Sequence, residues 1–214
     1  MNKVKAKPLV ILGGGGHASV LVDILLSQQR EIVAIVSPEN ISSRLAFSGL
    51  KHMNNDQDVL AFSPAEVRLV NGIGMLPNSA LKRNINEYFL DLGYRFETII
   101  SNQAYISSFA SIEHGAQVLP GAIIQPGAVI GAHSIINSGA IIEHDCRVGQ
   151  YNHIAPRATL CGQVTTQHDV FIGAGATIIQ NITLGHGSVI GAGAIVTKNV
   201  SSGKVCYSSR IIMN

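Results

Sequence analysis

The sequence predicts a two-part chain, in which a small α/β domain with a Rossmann-like βαβ unit is followed by a parallel β-helix of hexapeptide repeats. Three observations predict it. A glycine cluster near the start separates an apolar run from an amphipathic stretch; strand-like and helix-like patterns alternate up to residue 97; and from Ile106 onwards aliphatic residues recur at every sixth position.

KPLVILGGGGHASVLVDILLSQQR reads as a buried strand, a glycine turn and an amphipathic helix, and EIVAIVSPEN as a second strand and turn. EVRLVNGIG supplies a further apolar strand. SALKRNINEYFLDLGYRF then reads as a helix closed by Gly93, and FETIIS as the strand that completes the domain and runs into the first coil. The expected boundaries are 1–97 for the nucleotide-binding type of α/β domain, 98–199 for the β-helix and 200–214 for a C-terminal tail.

The repeat is the strongest signal. Stepping by six from Ile106 to Val196, fifteen of sixteen positions are Ile, Leu or Val, the exception being Thr166. Two residues before each lies a second row, in which twelve of sixteen are Ala, Ser or Cys. A helix needs a period of 3.6 and a flat strand a period of two, so a strict six demands short extended pieces that turn a corner every six residues. Three hexads close a triangular coil of 18 residues, with aliphatic side chains stacked on the axis at about 4.8 Å spacing and the small residue at the corner.

Composition excludes several classes. A formal charge of +2 with scattered basic residues gives no nucleic-acid surface. No apolar run reaches the roughly 18 residues of a membrane span, and the start passes from a short basic segment into glycines without a cleavage pattern, so a cytoplasmic location is expected. Cys146, Cys161 and Cys206 form no CxxC pair and are odd in number, which points to reduced packing thiols and to no metal site.

Two segments carry candidate chemistry. In GGGGHA (Gly13, Gly14, Gly15, Gly16, His17 and Ala18), a strand-to-helix turn presents backbone N–H groups and a helix dipole to a pyrophosphate; the alternative is a tight turn and nothing more. Nicotinamide binding is disfavoured, because the second strand ends in Ser37 and Pro38 where an acid is wanted. In IIEHDCRVGQYNHIAP, His144 follows the inward Ile142 by two and adjoins Asp145, which puts the pair on the outside of the coil. An imidazole suits general-base work near neutral pH, and a carboxylate holds its tautomer and stabilises the imidazolium.

A GGGGHA α/β domain followed by hexads containing I-E-H-D-C, G-A-G-A-T-I and I-G-A-G-A-I-V resembles the sialic-acid O-acetyltransferase and nucleotide-aminosugar N-acetyltransferase family. The nearest pattern is the group that acetylates the 4-amino group of nucleotide-linked 4-amino-4,6-dideoxysugars. That resemblance covers nearly the whole chain and implies a left-handed β-helix, a homotrimer with sites between adjacent β-helices, and acetyl-CoA as donor with no metal. The product would feed O-antigen, capsule or glycan synthesis. By the same resemblance His144 is the base that takes the amine proton and Asp145 raises its basicity. The substrate would meet Gly13–Gly16, His17, Ser37 and Asn137. Acetyl-CoA would meet His153, Gly162, Gly173, Ala174, Gly191, Ala192 and Lys198, with Gly162, one coil above His144, leaving space for thioester and sugar. Ser37–Pro38 stands where relatives carry an acidic pair, and CYSSR at 206–210 where they carry G-x-P-A-[KR]. The alternative activity on the same fold is O-acetylation of a sugar such as sialic acid, or of an amino acid.

Overall fold

The unbroken apolar run LVIL forms β1 (Leu9–Leu12), buried on both faces as a central parallel strand must be. A computed structural model describes residues 6–208. Contacts group them into two compact units, one ending at Glu97 and the other starting at Thr98, with Leu76–Asn78 grouped with the second.

In the first unit β1 leads through the glycine turn into α1 (Gly16–Ser27) and β2 (Ile32–Val36). A two-residue β3 (His52–Met53), β4 (Arg68–Asn71) and α2 (Leu81–Asp91) follow. The strands are parallel in the order β3-β2-β1-β4. Gly13 has φ +95°, a conformation that costs other residues a steric penalty, and its N–H donates to Val36 O at 2.7 Å. Gly93, with φ +84°, follows the end of α2.

FETIIS is not one strand. Glu97 N donates to Leu69 O at 2.8 Å, so the Phe96 end bridges β4, whereas Ile99–Ile100 is a rung of the β-helix. The apolar run is continuous because both cores claim part of it. Between β2 and β4 lie short 3-10 turns at Leu45–Phe47 and Asp56–Ala61 that carry no periodic signal.

The second unit is a parallel β-helix of two-residue strands on three faces. One face has seven strands, from Ile99–Ile100 to Val205–Cys206; one has six, from Tyr105–Ile106 to Ile195–Val196; one has five, from Ser111–Ile112 to Thr183–Leu184. Partners lie 18 residues apart, as in Ile142 against Leu160 and Ile154 against Ile172, except at the last rung, where Val189 pairs with Val205. The predicted inward row lines the core from Val118 onwards. Val205–Cys206 adds a rung within the segment expected to be a tail; residues 209–214 of that segment and residues 1–5 lie outside the described residues.

The corner itself differs from the expectation. Every sixth residue from Gly115 to Gly193 has φ between +53° and +76°, so the left-handed residue makes the turn and the small residue after it packs inward. Half of these positions are glycine; the others include Asp145, Asp169 and Asn181, side chains that tolerate this region. We name the corners by the faces they join: corner I between the seven- and six-stranded faces, corner II between the six- and five-stranded faces, and corner III between the five- and seven-stranded faces.

Thr166 breaks the aliphatic row, and Asn152 breaks the small row; the structure makes these one event. Asn152 Nδ2 donates to Thr166 Oγ1, Val170 N donates to Asn152 Oδ1 at 2.7 Å, and Asn152 N donates to Ser134 Oγ at 2.9 Å. A buried amide is tolerated only with its partners present. Cys146 fits the small row as a buried thiol pushed up to about 11, chiefly by burial, and all three cysteines are free. Among the described residues no helix is long and apolar enough to cross a membrane.

Thr166→Val is therefore expected to destabilise the chain by about 1–3 kcal/mol, since it strands the Asn152 amide inside the coil. Adding Asn152→Ala should recover part of that loss in chemical denaturation, a coupling that two independent sites would not show.

Candidate active site

The three corners carry different chemistry. Corner I is lined mainly by small residues, including Ser138, Gly139, Ala174, Gly175, Ala192 and Gly193, with the exposed Arg157 between Gly139 and Gly175. Corner II carries His144, Asp145, Gly162 and Lys198. At corner III the rings stack, His133 on Tyr151 with centroids 4.9 Å apart and His114 edge-on to His133 at 5.1 Å.

His144 precedes the left-handed Asp145, φ +61°, and that backbone turn swings the carboxylate back onto the imidazole. Nδ1 and Asp145 Oδ2 are 2.9 Å apart, with both side chains more than half exposed, at 57% and 59%. With Nδ1–H donating to the carboxylate, Nε2 is left with a lone pair and no protein partner among the described residues.

Two glycines make room for this pair. A methyl on Gly162 would stand 2.5 Å from His144 Nε2 and 2.6 Å from Cε1. Part of the space that the missing Gly162 side chain leaves is thus taken by the imidazole, so Gly162 supports the ring as well as leaving its own backbone bare. One coil the other way, a methyl on Gly127 would collide with Asp145 Oδ1. Sequence reasoning missed Gly127, although its distance of 18 residues from Asp145 marks it.

Asn137 and His153 meet at the seven-stranded face. Asn137 Nδ2 lies 3.5 Å from His153 Nε2, while Asn137 Oδ1 accepts from Ser138 N at 2.8 Å. His153 is 8% exposed, stacked on Phe171 with centroids 4.9 Å apart. Gly173 has no room for a side chain, because a methyl there would stand 2.5 Å from Ala192 N; Gly191 similarly faces Cys206 O at 3.1 Å. Ala174 and Ala192 are exposed one coil apart. Lys198 borders a cavity of about 290 Å³ with Ile195, Asn199, Cys206 and Tyr207.

In the first unit the four glycines divide. Gly13 is demanded by its backbone, and Gly14 by packing, since a side chain there would strike Ile41 and Ser37. Gly15 has an extended backbone and nothing within 4 Å of a methyl, and Gly16 meets only Arg44 Nη1 at 3.9 Å. Neither needs to be glycine for the fold, so the bare turn in front of α1 is free to approach a ligand. The α1 N-terminus has no side-chain cap and no acid in its first turn, which leaves its N–H groups and dipole for an anion. His17 sits half-buried in that turn. Ser37 is buried, its Oγ accepting from Glu39 N at 3.3 Å and its carbonyl 2.9 Å from His52 Nε2, so it supports the turn by packing. A cavity of about 350 Å³ beside it is lined by Asn40, Arg44, Leu45, Phe47, Leu50 and His52. Arg44 gave no signal in the sequence. No group of three or more His, Cys, Asp or Glu among the described residues is placed to hold a metal ion.

Residues 8–89 match the PglD N-terminal domain, 127–162 the bacterial transferase hexapeptide (six repeats), and 168–198 the hexapeptide repeat of succinyl-transferase. Among solved structures, the acetyltransferase domain of PglB from Neisseria gonorrhoeae, in complex with acetyl coenzyme A, is 26% identical with a TM-score of 0.85, over 94% of this chain and 96% of that one. PerB from Caulobacter crescentus, in complex with CoA and GDP-perosamine, is 27% identical with a TM-score of 0.84, over 96% and 95%. WeeI from Acinetobacter baumannii shares the fold, at 16% identity and a TM-score of 0.56, over 92% and 95%. No curated protein matches the chain. By these likenesses the β-helix is left-handed.

Because the imidazole takes part of the Gly162 gap, Gly162→Ala is expected to push His144 into another rotamer and open its Nδ1–Asp145 Oδ2 separation beyond hydrogen-bond reach. A crystal structure of the variant checks this; an unmoved ring would overturn the support role.

Proposed function

We propose that this chain, which belongs to the nucleotide-aminosugar N-acetyltransferase family of hexapeptide-repeat acyltransferases, transfers acetyl from acetyl-CoA to the 4-amino group of a nucleotide-linked 4-amino-4,6-dideoxysugar. The observation that carries the mechanism is the His144 Nδ1 to Asp145 Oδ2 contact at 2.9 Å, which leaves Nε2, on a ring more than half exposed, without a partner among the described residues. The amine nitrogen attacks the thioester carbonyl while His144 Nε2 takes its proton, and Asp145 stabilises the imidazolium. Collapse of the tetrahedral intermediate expels the thiolate, which is protonated as CoA leaves. Because Asp145 is exposed and its field screened by water, it contributes less than His144. The bare Gly15–Gly16 turn, the α1 N-terminus and Arg44 offer the diphosphate a common anion site, and the neighbouring 350 Å³ cavity suits a nucleobase.

The residues assigned to acetyl-CoA are divided between two corners, and the His144–Asp145 pair shares one of them. Asn137, Gly173, Ala174, Gly191 and Ala192 lie at corner I, whereas His144, Asp145, Gly162 and Lys198 lie at corner II. A homotrimer, each copy offering corner I to one neighbour and corner II to the other, would complete three equivalent sites.

The reaction is tested by mixing acetyl-CoA with UDP-, GDP- and dTDP-linked 4-aminosugars and with free sialic acid, following thiol release and product mass. Acetylation only of an acceptor without an amine would transfer the chain to the O-acetylating class. His144→Ala should lose roughly 10²–10⁴ in turnover with both ligand affinities kept, and Asp145→Asn less. Its residual rate should rise with pH as the acceptor amine deprotonates; wild-type turnover at pH 7 would refute the base assignment.

Shared sites are tested by complementation. Co-refolding inactive His144→Ala with inactive Ala192→Trp should restore activity at about a quarter of the sites if each draws on two copies. No recovery, or a monomer in sedimentation, would show that one copy holds a whole site.

A further inference from the structure

Lys82, in the first turn of α2, is a buried amine with no carboxylate partner among the described residues. Its Nζ donates to Asn71 O at 2.9 Å and to Ile73 O at 3.1 Å. Asn71 extends the network: its Nδ2 donates to Asn86 Oδ1 at 2.7 Å, and its Oδ1 accepts from Ile73 N at 2.9 Å. These bonds hold the chain leaving β4, and that segment forms a wall of the glycine turn. Gly72 N donates to Leu12 O at 2.7 Å, a methyl on Gly72 would stand 2.6 Å from Ala18 Cβ, and one on Gly13 would stand 3.0 Å from Ile73 Cγ1.

Two donated bonds are what a neutral amine makes; the third N–H of an ammonium has no acceptor among the described residues. Burial lowers Lys82 from 10.5 to about 7 and is the sole cause. The titratable groups on the surrounding elements, His17 and Asp23 on α1, Arg68 on β4, and Arg83 and Glu87 on α2, contribute nothing to that shift, and the last two pair with each other at 3.6 Å.

We propose that Lys82 is a positioning residue of the nucleotide site, which props the wall of the glycine turn and takes up a proton from solvent when a sugar-nucleotide diphosphate occupies that turn. The inference rests on the proposed nucleotide binding at the glycine turn. The sign comes from comparing the two states. In the free protein the amine is largely neutral above pH 7, whereas the negative diphosphate favours the ammonium, so binding draws in a proton and affinity falls as pH rises. Below about pH 6 the amine is charged in both states and the dependence disappears.

The test uses GDP-mannose, UDP-glucose and dTDP-glucose, diphosphate diesters that carry no acceptor amine and no phosphate titrating between about pH 6.5 and 8.5. Calorimetry of the wild-type protein at pH 8 in buffers of differing ionisation heat should show uptake of about half a proton per ligand bound, and affinity should fall several-fold from pH 6.5 to 8.5. Lys82→Arg, which keeps the charge at every pH, should bind with neither proton uptake nor pH dependence; Lys82→Met should bind more weakly at pH 6.5. Binding without proton uptake by the wild-type protein overturns the role of Lys82 and leaves the nucleotide reading standing. Failure of all three ligands to bind at any pH overturns both. His17 stands at the same turn, so uptake that persists in His17→Gln assigns the proton to Lys82 without any Lys82 substitution, and uptake lost in His17→Gln overturns the role of Lys82.

Discussion

A left-handed residue at every sixth position is the constraint on which the rest of the β-helix depends. It turns the chain after each two-residue strand, and three such turns return it to the same face 18 residues later. Each outward side chain is then confined by the residues one coil above and below. Side-chain conformation at a corner is thus set by sequence positions 18 apart. His144 and Asp145 illustrate the consequence: the imidazole lies over Gly162 and the carboxylate over Gly127, so two missing side chains orient one pair. Asp145 serves twice, since its backbone makes the corner and its carboxylate holds the ring.

The same stacking explains how the coil admits polar groups. An amide in the small-residue row would be ruinous alone, yet Asn152 faces Thr166, the one hydroxyl in the aliphatic row, and closes its remaining bonds on Ser134 and Val170. Two breaks in separate patterns cancel because the fold makes them neighbours. In the first unit the division of labour among the glycines has a similar logic: backbone and packing account for Gly13 and Gly14, and only Gly15 and Gly16 remain free for a ligand.

Whatever repeats in this chain is legible in its sequence. The inward aliphatic row, the two helices and the strands β1, β2 and β4 come from periodicity or from unbroken apolar runs. The left-handed corner is not legible, because half of its residues are not glycine and six-residue spacing does not reveal φ. FETIIS reads as one strand because two cores share one apolar run, and the last rung at Val205–Cys206 escapes because the chain between it and the preceding coil loses the hexad register. At the site, the His144–Asp145 pair is legible from its place relative to Ile142. The packing of the His144 ring on Gly162, the partnership of Gly127, and the presence of Arg44 and Lys82 near the glycine turn are not, since each depends on a contact between distant positions.

On the proposed reaction, the exposure of the His144–Asp145 pair sets a requirement on the assembly. A general base in open water holds no acceptor and strengthens no charge, because both need a wall that excludes solvent and a surface that binds the second substrate. Corner II offers an exposed imidazole and carboxylate, while corner I presents small residues interrupted by the exposed Arg157 and carries no such pair. Neither strip suffices alone. Setting corner II of one copy against corner I of the next would bury the imidazole beside the thioester while leaving its Nε2 lone pair directed at the acceptor, and rotation about a threefold axis would give every copy the same two neighbours. On this reading the period of six builds the scaffold, and it also spaces two complementary edges so that the protein supplies its own missing wall.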